Sequence, residues 1–321
     1  MTLALLMLLS CARPVGFETV TIEAATDSWK PGACAARTDL LWSEPSPEPG
    51  STKNLPIDFK RTPFPVGDAE FQGWLALPPG TTTEAPAKLL VFLHAGLSIN
   101  GKDFEPVAPW VDKGWAVFMP TWRAEMGNPG AYQLMCGEVD DIAASIRWIA
   151  THPKIDPTRI EVFGHGTGGG VAALLALEPD LPAQRTGSLG GLYFQEMVIG
   201  WGPMLPFDRS KPTEIHDRIL LAHMDDMARP HIAYLGNEDP TAIVISHARE
   251  AAGDAPLTIQ TVEGGHLTAT DKALEAFLAD APAPTPAEAA PTPAEAAQPT
   301  QAATEAAEAT PATDTPEATA P

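Results

Sequence analysis

Apolar residues in the middle of the chain fall into two alternating patterns. Leu89-Leu90-Val91-Phe92-Leu93 and Ala116-Val117-Phe118-Met119 have no polar face, as strands buried between two layers should. Val139, Ile142, Ile146 and Ile149 instead recur at helical spacing and mark one face of a helix. Glu138, Asp140 and Asp141 stand in its first turn, where the dipole favours acids, and Asp140 and Asp141 read as a solvated helix start and not a general acid/base pair. Asp156-Pro157 makes a turn, Ile160-Glu161-Val162-Phe163 is a further strand, and Val171, Leu174 and Leu175 give a helix ended near Pro179. Met197-Val198-Ile199, Ile232-Ala233-Tyr234-Leu235 and Thr258-Ile259-Gln260-Thr261-Val262 predict three more strands, and Leu274, Phe277 and Leu278 the inner face of a last helix. Upstream, Phe59 to Val66 and Phe71 to Leu77 are strand-like, the first confined to an edge by its prolines. Strand–helix alternation at this spacing predicts an α/β fold, a mostly parallel central sheet with helices on both faces.

The two ends are built differently. From Ala281 to Pro321 the chain is almost entirely Ala, Pro, Thr and Glu, with a tandem repeat, Pro284 to Ala290 and Pro291 to Ala297. Such a composition cannot bury a core, so a disordered, extended tail is expected, its threonines candidate glycosylation sites. Residues 2–9 form an apolar run too short to span a bilayer, which reads as the core of a secretory signal. Leu8-Leu9-Ser10-Cys11 resembles a bacterial lipobox, implying that Cys11 carries lipid and anchors an exported protein in the cell envelope. The alternative is a buried element end with a chance cysteine. No basic residue precedes the run, so a start upstream of Met1 is expected, and Ala12 gives weak support to outward sorting. Ser43 to Gly50, rich in Pro, Ser and Glu, reads as a spacer, with Trp29 and Trp42 suggesting that part of it docks. The expected organisation is a signal over 1–11, an extension over 12–56, a domain over 57–280 and a tail over 281–321.

Charge and cysteines narrow the partners. The chain carries a formal net charge of −21, and six of its acids lie in the tail, so about −15 stays on the rest. Nucleic acid and an anionic membrane face would both repel such a body, so neither is expected as a partner; a small-molecule ligand or a peptide is compatible with the charge, and the membrane is reached through the lipid anchor. Cys34 and Cys136 can pair in an oxidising compartment, closing a loop worth roughly 4 to 5 kcal/mol in the chain-entropy model, but their sequence positions leave pairing open. No Cys/His cluster has zinc spacing, so neither a metal nor another cofactor is expected.

The candidate chemistry begins where the strand Ile160 to Phe163 runs into Gly164-His165-Gly166-Thr167-Gly168-Gly169-Gly170 and then a helix. This segment resembles the G-x-S-x-G nucleophile elbow of the α/β-hydrolase family. Leu93-His94-Ala95-Gly96 resembles its oxyanion loop, with Ala95 where glycine is usual, and Ile155-Asp156-Pro157-Thr158-Arg159-Ile160 resembles the run before the elbow in dienelactone hydrolases and prolyl oligopeptidase catalytic domains. Tyr234 to Pro240 is similar to the strand end carrying the acid, and Glu263-Gly264-Gly265-His266 to the loop carrying the histidine. The resemblance covers about Phe59 to Ala279 and implies a triad order of elbow, Asp239, His266. It also implies oxyanion-loop roles for His94, Ala95 and Gly96, a backbone N–H from Thr167, and ester, lactone or peptide substrates.

The departure is at the centre, where Gly166 stands in the serine's place. Glycine has no Oγ and cannot form an acyl-enzyme; losing such a nucleophile costs roughly 10⁶ in kcat, or about 8 kcal/mol. The first reading is therefore a tethered protein, inactive or very weak as a serine hydrolase, that binds a ligand or partner through the old pocket. A second is a working hydrolase, in which Asp239 and His266 activate a water or another serine such as Ser98 serves. A third takes Gly164-x-Gly166-x-x-Gly169 as a dinucleotide fingerprint, although Glu178, Asp180 and Glu196 are poorly placed for the acid it needs. Trp122 and Arg123 either line the pocket mouth or pack, and Met204, Phe207, Met224 and Met227 mark a segment where hydrolases insert a lid.

Overall fold

A computed structural model describes residues 25, 27–53, 55, 59–241 and 245–281. Cys11 with its lipobox, and the repeat over 284–297, lie outside the described residues. The chain divides into two units, Met1–Thr285 and Pro286–Pro321, and every described residue belongs to the first.

The runs without a polar face form the middle of one sheet. Its strands are β1 (Lys60–Arg61), β4 (Gly73–Ala76), β5 (Ala87–Leu93), β6 (Trp115–Pro120), β7 (Ile155–His165), β8 (Arg185–Leu189), β9 (His231–Gly236) and β10 (Leu257–Val262), while β2 (Phe64–Val66) and β3 (Ala69–Phe71) make a separate hairpin. The order across the sheet is β1-β4-β6-β5-β7-β8-β9-β10. Pairing is parallel from β6 to β10 and antiparallel at β1–β4 and β4–β6. Alternate side chains of β5 serve opposite cores. Leu89, Val91 and Leu93 pack with Val139, Ile142 and Ile146 of the helix Gly137–Ile149, whereas Leu90 and Phe92 pack with Leu274 and Phe277 of the helix Thr270–Ala279. Burial on both faces is what makes these strands read as continuous apolar runs.

β6 leaves β5 on one side and β7 returns on the other, so the loops after β5 and β7 diverge from a common crevice at the carboxyl ends of the strands. Open α/β sheets place their ligand sites at such a switch point. The Asp156-Pro157 turn is absorbed into β7 as a bulge, where the register with β5 shifts and Asp156 Oδ1 accepts from the Thr158 amide at 3.0 Å.

Three expectations are corrected. Met197-Val198-Ile199 is not a strand but lies in the helix Gln195–Ile199, and the strand between β7 and β9 is β8. The run Phe59 to Val66 breaks into β1 and β2, and Phe71 to Leu77 is divided between β3 and β4. Asp141 is not solvated: it is 1% exposed and holds Arg123 through both carboxylate oxygens, at 2.8 and 2.7 Å. Asp140 accepts from the Gly32 amide at 2.9 Å.

Residues 38–51 are docked along the body instead of forming a free spacer. Leu40 bridges to Phe207, Ser46 Oγ donates to the Leu97 carbonyl at 2.6 Å, Glu48 Oε2 accepts from the Leu97 amide at 2.6 Å, and Ser51 N donates to the Ile99 carbonyl at 2.9 Å. Trp42 stacks on Tyr132 with ring centroids 5.7 Å apart, and Trp29 packs on the core. Cys34 and Cys136 are joined, their Cα atoms 5.4 Å apart, which ties this extension to the start of the helix Gly137–Ile149. In the segment between β8 and β9, Met204, Met224 and Met227 are half-buried and Phe207 buried, all against the core. Arg218 is completely buried there, its guanidinium 3.8 Å from the Phe207 ring, and it binds Glu214, the Leu134 carbonyl and Thr38 Oγ1. No helix among the described residues is long and apolar enough to cross a membrane.

Candidate active site

The strand–turn–helix at Gly166 sets the centre. Gly166 has φ 56° and ψ −116° between β7 and the helix Thr167–Leu174, a conformation that costs any other L residue strain. Its amide donates to the Leu189 carbonyl at 2.9 Å, which fixes the turn on β8. A Cβ built on Gly166 would meet Ala95 Cβ and His266 Nε2, each at 3.7 Å, both ordinary contacts. The place of a nucleophile side chain is therefore open and directed at the histidine.

Parallel pairing of β9 with β10 brings the next two groups together, because the loops that follow adjacent parallel strands leave on the same edge. Asp239 is 4% exposed, and its Oδ2 stands 3.0 Å from His266 Nδ1. Its Oδ1 accepts from the Thr241 amide at 2.8 Å and from Thr241 Oγ1 at 2.7 Å. Burial pushes the Asp239 carboxyl up, but the bonds from His266 and Thr241 outweigh it and hold the group below its ordinary value. A carboxylate at Nδ1 selects the tautomer with hydrogen there and leaves Nε2 as the acceptor facing Gly166. The His266 side chain remains 36% exposed.

Two residues that sequence reasoning did not single out position His266. His165 Nε2 donates to the His266 carbonyl at 2.8 Å, and burial pulls His165 down to about 4, so it stays neutral and keeps its N–H. Gly190, at φ 57°, packs so closely on the imidazole that a Cβ there would lie 2.5 Å from His266 Nδ1 and Cε1. The histidine within the G-H-G triplet was a visible signal for the first. Gly190 had no local signal, since its constraint comes from a residue far along the chain.

The loop after β5 forms the other wall. His94 is fully buried, with Nε2 3.0 Å from Glu125 Oε1 and Nδ1 3.0 Å from the Ala95 carbonyl, its ring 4.1 Å from that of Trp122. Burial alone would push His94 down, but the Glu125 carboxylate outweighs it and raises the group to about 9, so both ring nitrogens donate. Glu125 also accepts from the Ile99 and Trp122 amides at 2.8 and 2.9 Å, so one buried carboxylate holds the loop from three sides. Asp103 lies beside this pair and faces the Ala95 amide; burial pushes it up to about 6. Gly96, at φ 71°, turns the loop against Glu48 of the extension.

Thr167 opens the helix after the elbow, where first-turn amides lack intrahelical acceptors, and its Oγ1 is buried without a partner among the described residues. Gly168 donates to the His94 carbonyl at 3.1 Å, and a Cβ on it would approach that oxygen to 2.4 Å. The glycine spacing thus serves packing of the elbow on the β5 loop, while Glu178, 1% exposed, binds Arg147. Ser98 is 4% exposed beneath Gly50 and shares no hydrogen bond with His266. Among the described residues no group of three or more His, Cys, Asp or Glu is arranged to hold a metal.

Comparison with known proteins agrees with this fold. A family profile described as the alpha/beta hydrolase fold matches residues 135–293. An uncharacterized peptidase of Bacillus subtilis, YtmA, is 28% identical over 93 residues, 29% of this chain and 35% of that protein. Esterase 2 of Thermogutta terrifontis, phosphonylated by cyclosarin, superimposes with a TM-score of 0.56 at 18% identity, covering 70% of this chain and 95% of the esterase. Dipeptidyl peptidase 4 of Porphyromonas gingivalis gives 0.54 at 17% identity, over 69% of this chain and 34% of the peptidase. The matched parts are about a third of the two peptidases. At these identities the structural likeness speaks for the fold and not for a substrate, and on the fold it coincides with the mostly parallel sheet and its helices: the chain is an α/β-hydrolase-fold protein.

Proposed function

We propose that this protein has given up acyl-enzyme chemistry and uses the site around Gly166 to bind a carbonyl compound, an ester-like small molecule or a peptide. We further propose that it is exported and held at a bacterial cell envelope by a lipid on Cys11. The observation that carries the reading is Gly166 itself, which keeps an elbow conformation at φ 56°, ψ −116° with no side chain to react. Around it the Asp239–His266 pair, at 3.0 Å, and the buttressed His94–Gly96 loop persist. Esterase and peptidase relatives favour a carbonyl ligand, and a joined Cys34–Cys136 suits an oxidising compartment.

The test uses the purified full chain with a short-chain p-nitrophenyl ester and a fluorophosphonate probe. The parent is expected to be silent, and Gly166→Ser to react with the probe and turn the ester over. Ester hydrolysis by the parent that is lost in His266→Ala would sink the non-catalytic reading. Replacing Cys11 by Ser should release the chain from the membrane fraction; a chain that stays there refutes the anchor.

One observation favours a second reading. His266 is partly exposed, with Nε2 facing the open space beside Gly166. A water there could give its proton to Nε2 and attack a carbonyl directly, the Asp239 carboxylate stabilising the imidazolium that forms. Slow hydrolysis that requires both His266 and Asp239, without probe labelling, is the signature of this route.

A further inference from the structure

A second polar groove lies on the opposite edge of the sheet, where the parallel strands begin. It has a volume of about 230 Å³ and is lined by Lys88 near the start of β5, Trp115 at the start of β6, Arg159 and Glu161 of β7, Gln184 just before β8, and Leu278 of the last helix. Four residues of β7 lie between Glu161 and Gly166, five steps or roughly 16 Å of strand, so this groove is distinct from the elbow site.

Its charges are arranged oddly for a surface that only has to be soluble. Lys88 and Arg159 are both half-buried in a chain of net charge −21, and neither makes an ion pair with a described carboxylate. The Lys88 ammonium sits 4.1 Å over the Trp115 ring. Burial, then the like charge of Arg159, push Lys88 down, so the two cations feel each other's charge across the groove. In the same groove, Glu161 is 1% exposed. Its Oε2 accepts from Arg185 Nε at 2.9 Å, while its Oε1 is buried with no donor among the described residues. Such an oxygen has lost its hydration without a replacement bond. The last turn of the helix Thr270–Ala279 adds the partial negative charge of a helix end on the same side.

The groove thus offers cations to an anion and a free acceptor to a hydrogen-bond donor, in a space the size of a small organic acid. We propose that it binds a small carboxylic acid carrying a hydroxyl or ammonium donor, with the carboxylate between Lys88 and Arg159 and the donor on Glu161 Oε1. This inference does not depend on what the Gly166 site does.

Calorimetric titration of the full chain at constant ionic strength tests it, with L-lactate and L-glutamate as probes. Acetate, which lacks the donor, and ethanolamine, which lacks the carboxylate, serve as half-ligands. One acid should bind saturably at one site, and which of the two binds more tightly identifies the donor as hydroxyl or ammonium. Each half-ligand should bind at least about tenfold more weakly, the loss of one charge-assisted bond. A Lys88→Gln/Arg159→Gln variant, folded by circular dichroism, should lose binding, and His266→Ala should keep it. The proposal is overturned if neither acid binds saturably, if the double variant binds as the parent does, or if His266→Ala abolishes binding, which would put the acid at the elbow.

Discussion

Restoring a side chain at Gly166 measures the elbow in two independent ways. At φ 56° and ψ −116° an L residue carries strain on the order of 1 to 3 kcal/mol. A Cβ there has 3.7 Å to both Ala95 Cβ and His266 Nε2, so steric overlap adds nothing and the backbone term stands alone. Gly166→Ala should therefore destabilise the chain by about 1 to 3 kcal/mol, with Tm falling by about 2 to 4 °C for each kcal/mol in a domain of this size. Gly166→Ser carries the same strain but gains a hydroxyl directed at His266 Nε2, worth about 0.5 to 1.5 kcal/mol. The serine variant should thus melt above the alanine variant, and adding His266→Ala should erase the difference. Differential scanning calorimetry supplies the Tm values, and fluorophosphonate labelling supplies the chemistry. If both substitutions leave Tm unchanged, the elbow is not held in this conformation. If serine and alanine melt together and serine stays unlabelled, His266 does not face the turn.

Three further outcomes follow from the same geometry. Gly190→Ala puts a Cβ 2.5 Å from the His266 ring, so in a Gly166→Ser background it should slow labelling by about 100-fold while Asp239 and the elbow remain; unchanged labelling kinetics would show that Gly190 does not position the ring. The His94 pKa rises from 6.5 to about 9 on folding, so its contribution, on the order of 3 kcal/mol, is complete below pH 6.5 and lost as pH climbs through 9. Urea midpoints should fall across that window in the parent, and a flat profile would refute a charged His94. Replacing Cys34 and Cys136 together by Ser opens a bridge spanning 102 positions and should cost about 4 to 5 kcal/mol by loop entropy, seen as a lower urea midpoint with a steeper slope as the unfolded chain expands; an unmoved midpoint would argue against the tie.

How much of this was legible in the sequence depended on what holds each piece in place. β5 and β6 read correctly because burial on both faces leaves no polar position, and the helix Gly137–Ile149 because its apolar stripe is the face it buries. β8 was invisible: Arg185-Thr186-Gly187-Ser188-Leu189 has no apolar run. Its polar groups are satisfied by partners brought in by folding, Arg185 by Glu161, and Thr186 and Ser188 by His231 at 2.7 and 2.8 Å. Met197-Val198-Ile199 misled because three apolar residues fit a strand or a helical turn equally well. Around the elbow, motif order pointed to Gly166, Asp239 and His266 as a group, and the structure places them together. The supports of that group, Gly190, Glu125 and Glu48, carry no motif, because each acts through a residue from another strand's loop.

The elbow and its histidine keep different time. All eight residues of the helix Thr167–Leu174 are buried, and the amides of Gly168 and Gly170 are bonded to His94 and Gly166 inside the fold. Those amides should exchange with solvent only when the whole domain unfolds. The loop carrying His266 is bonded at its outer turn by exposed contacts, Gly264 to Asn237 and Gly265 to Thr268, with Leu267 63% exposed beside it. Its amides should exchange through local opening, far sooner. A ligand that bridges the turn at Gly166 and the ring of His266 would pass the slow clock to the fast one, so protection spreading into residues 264–268 would report occupancy of the site without any turnover.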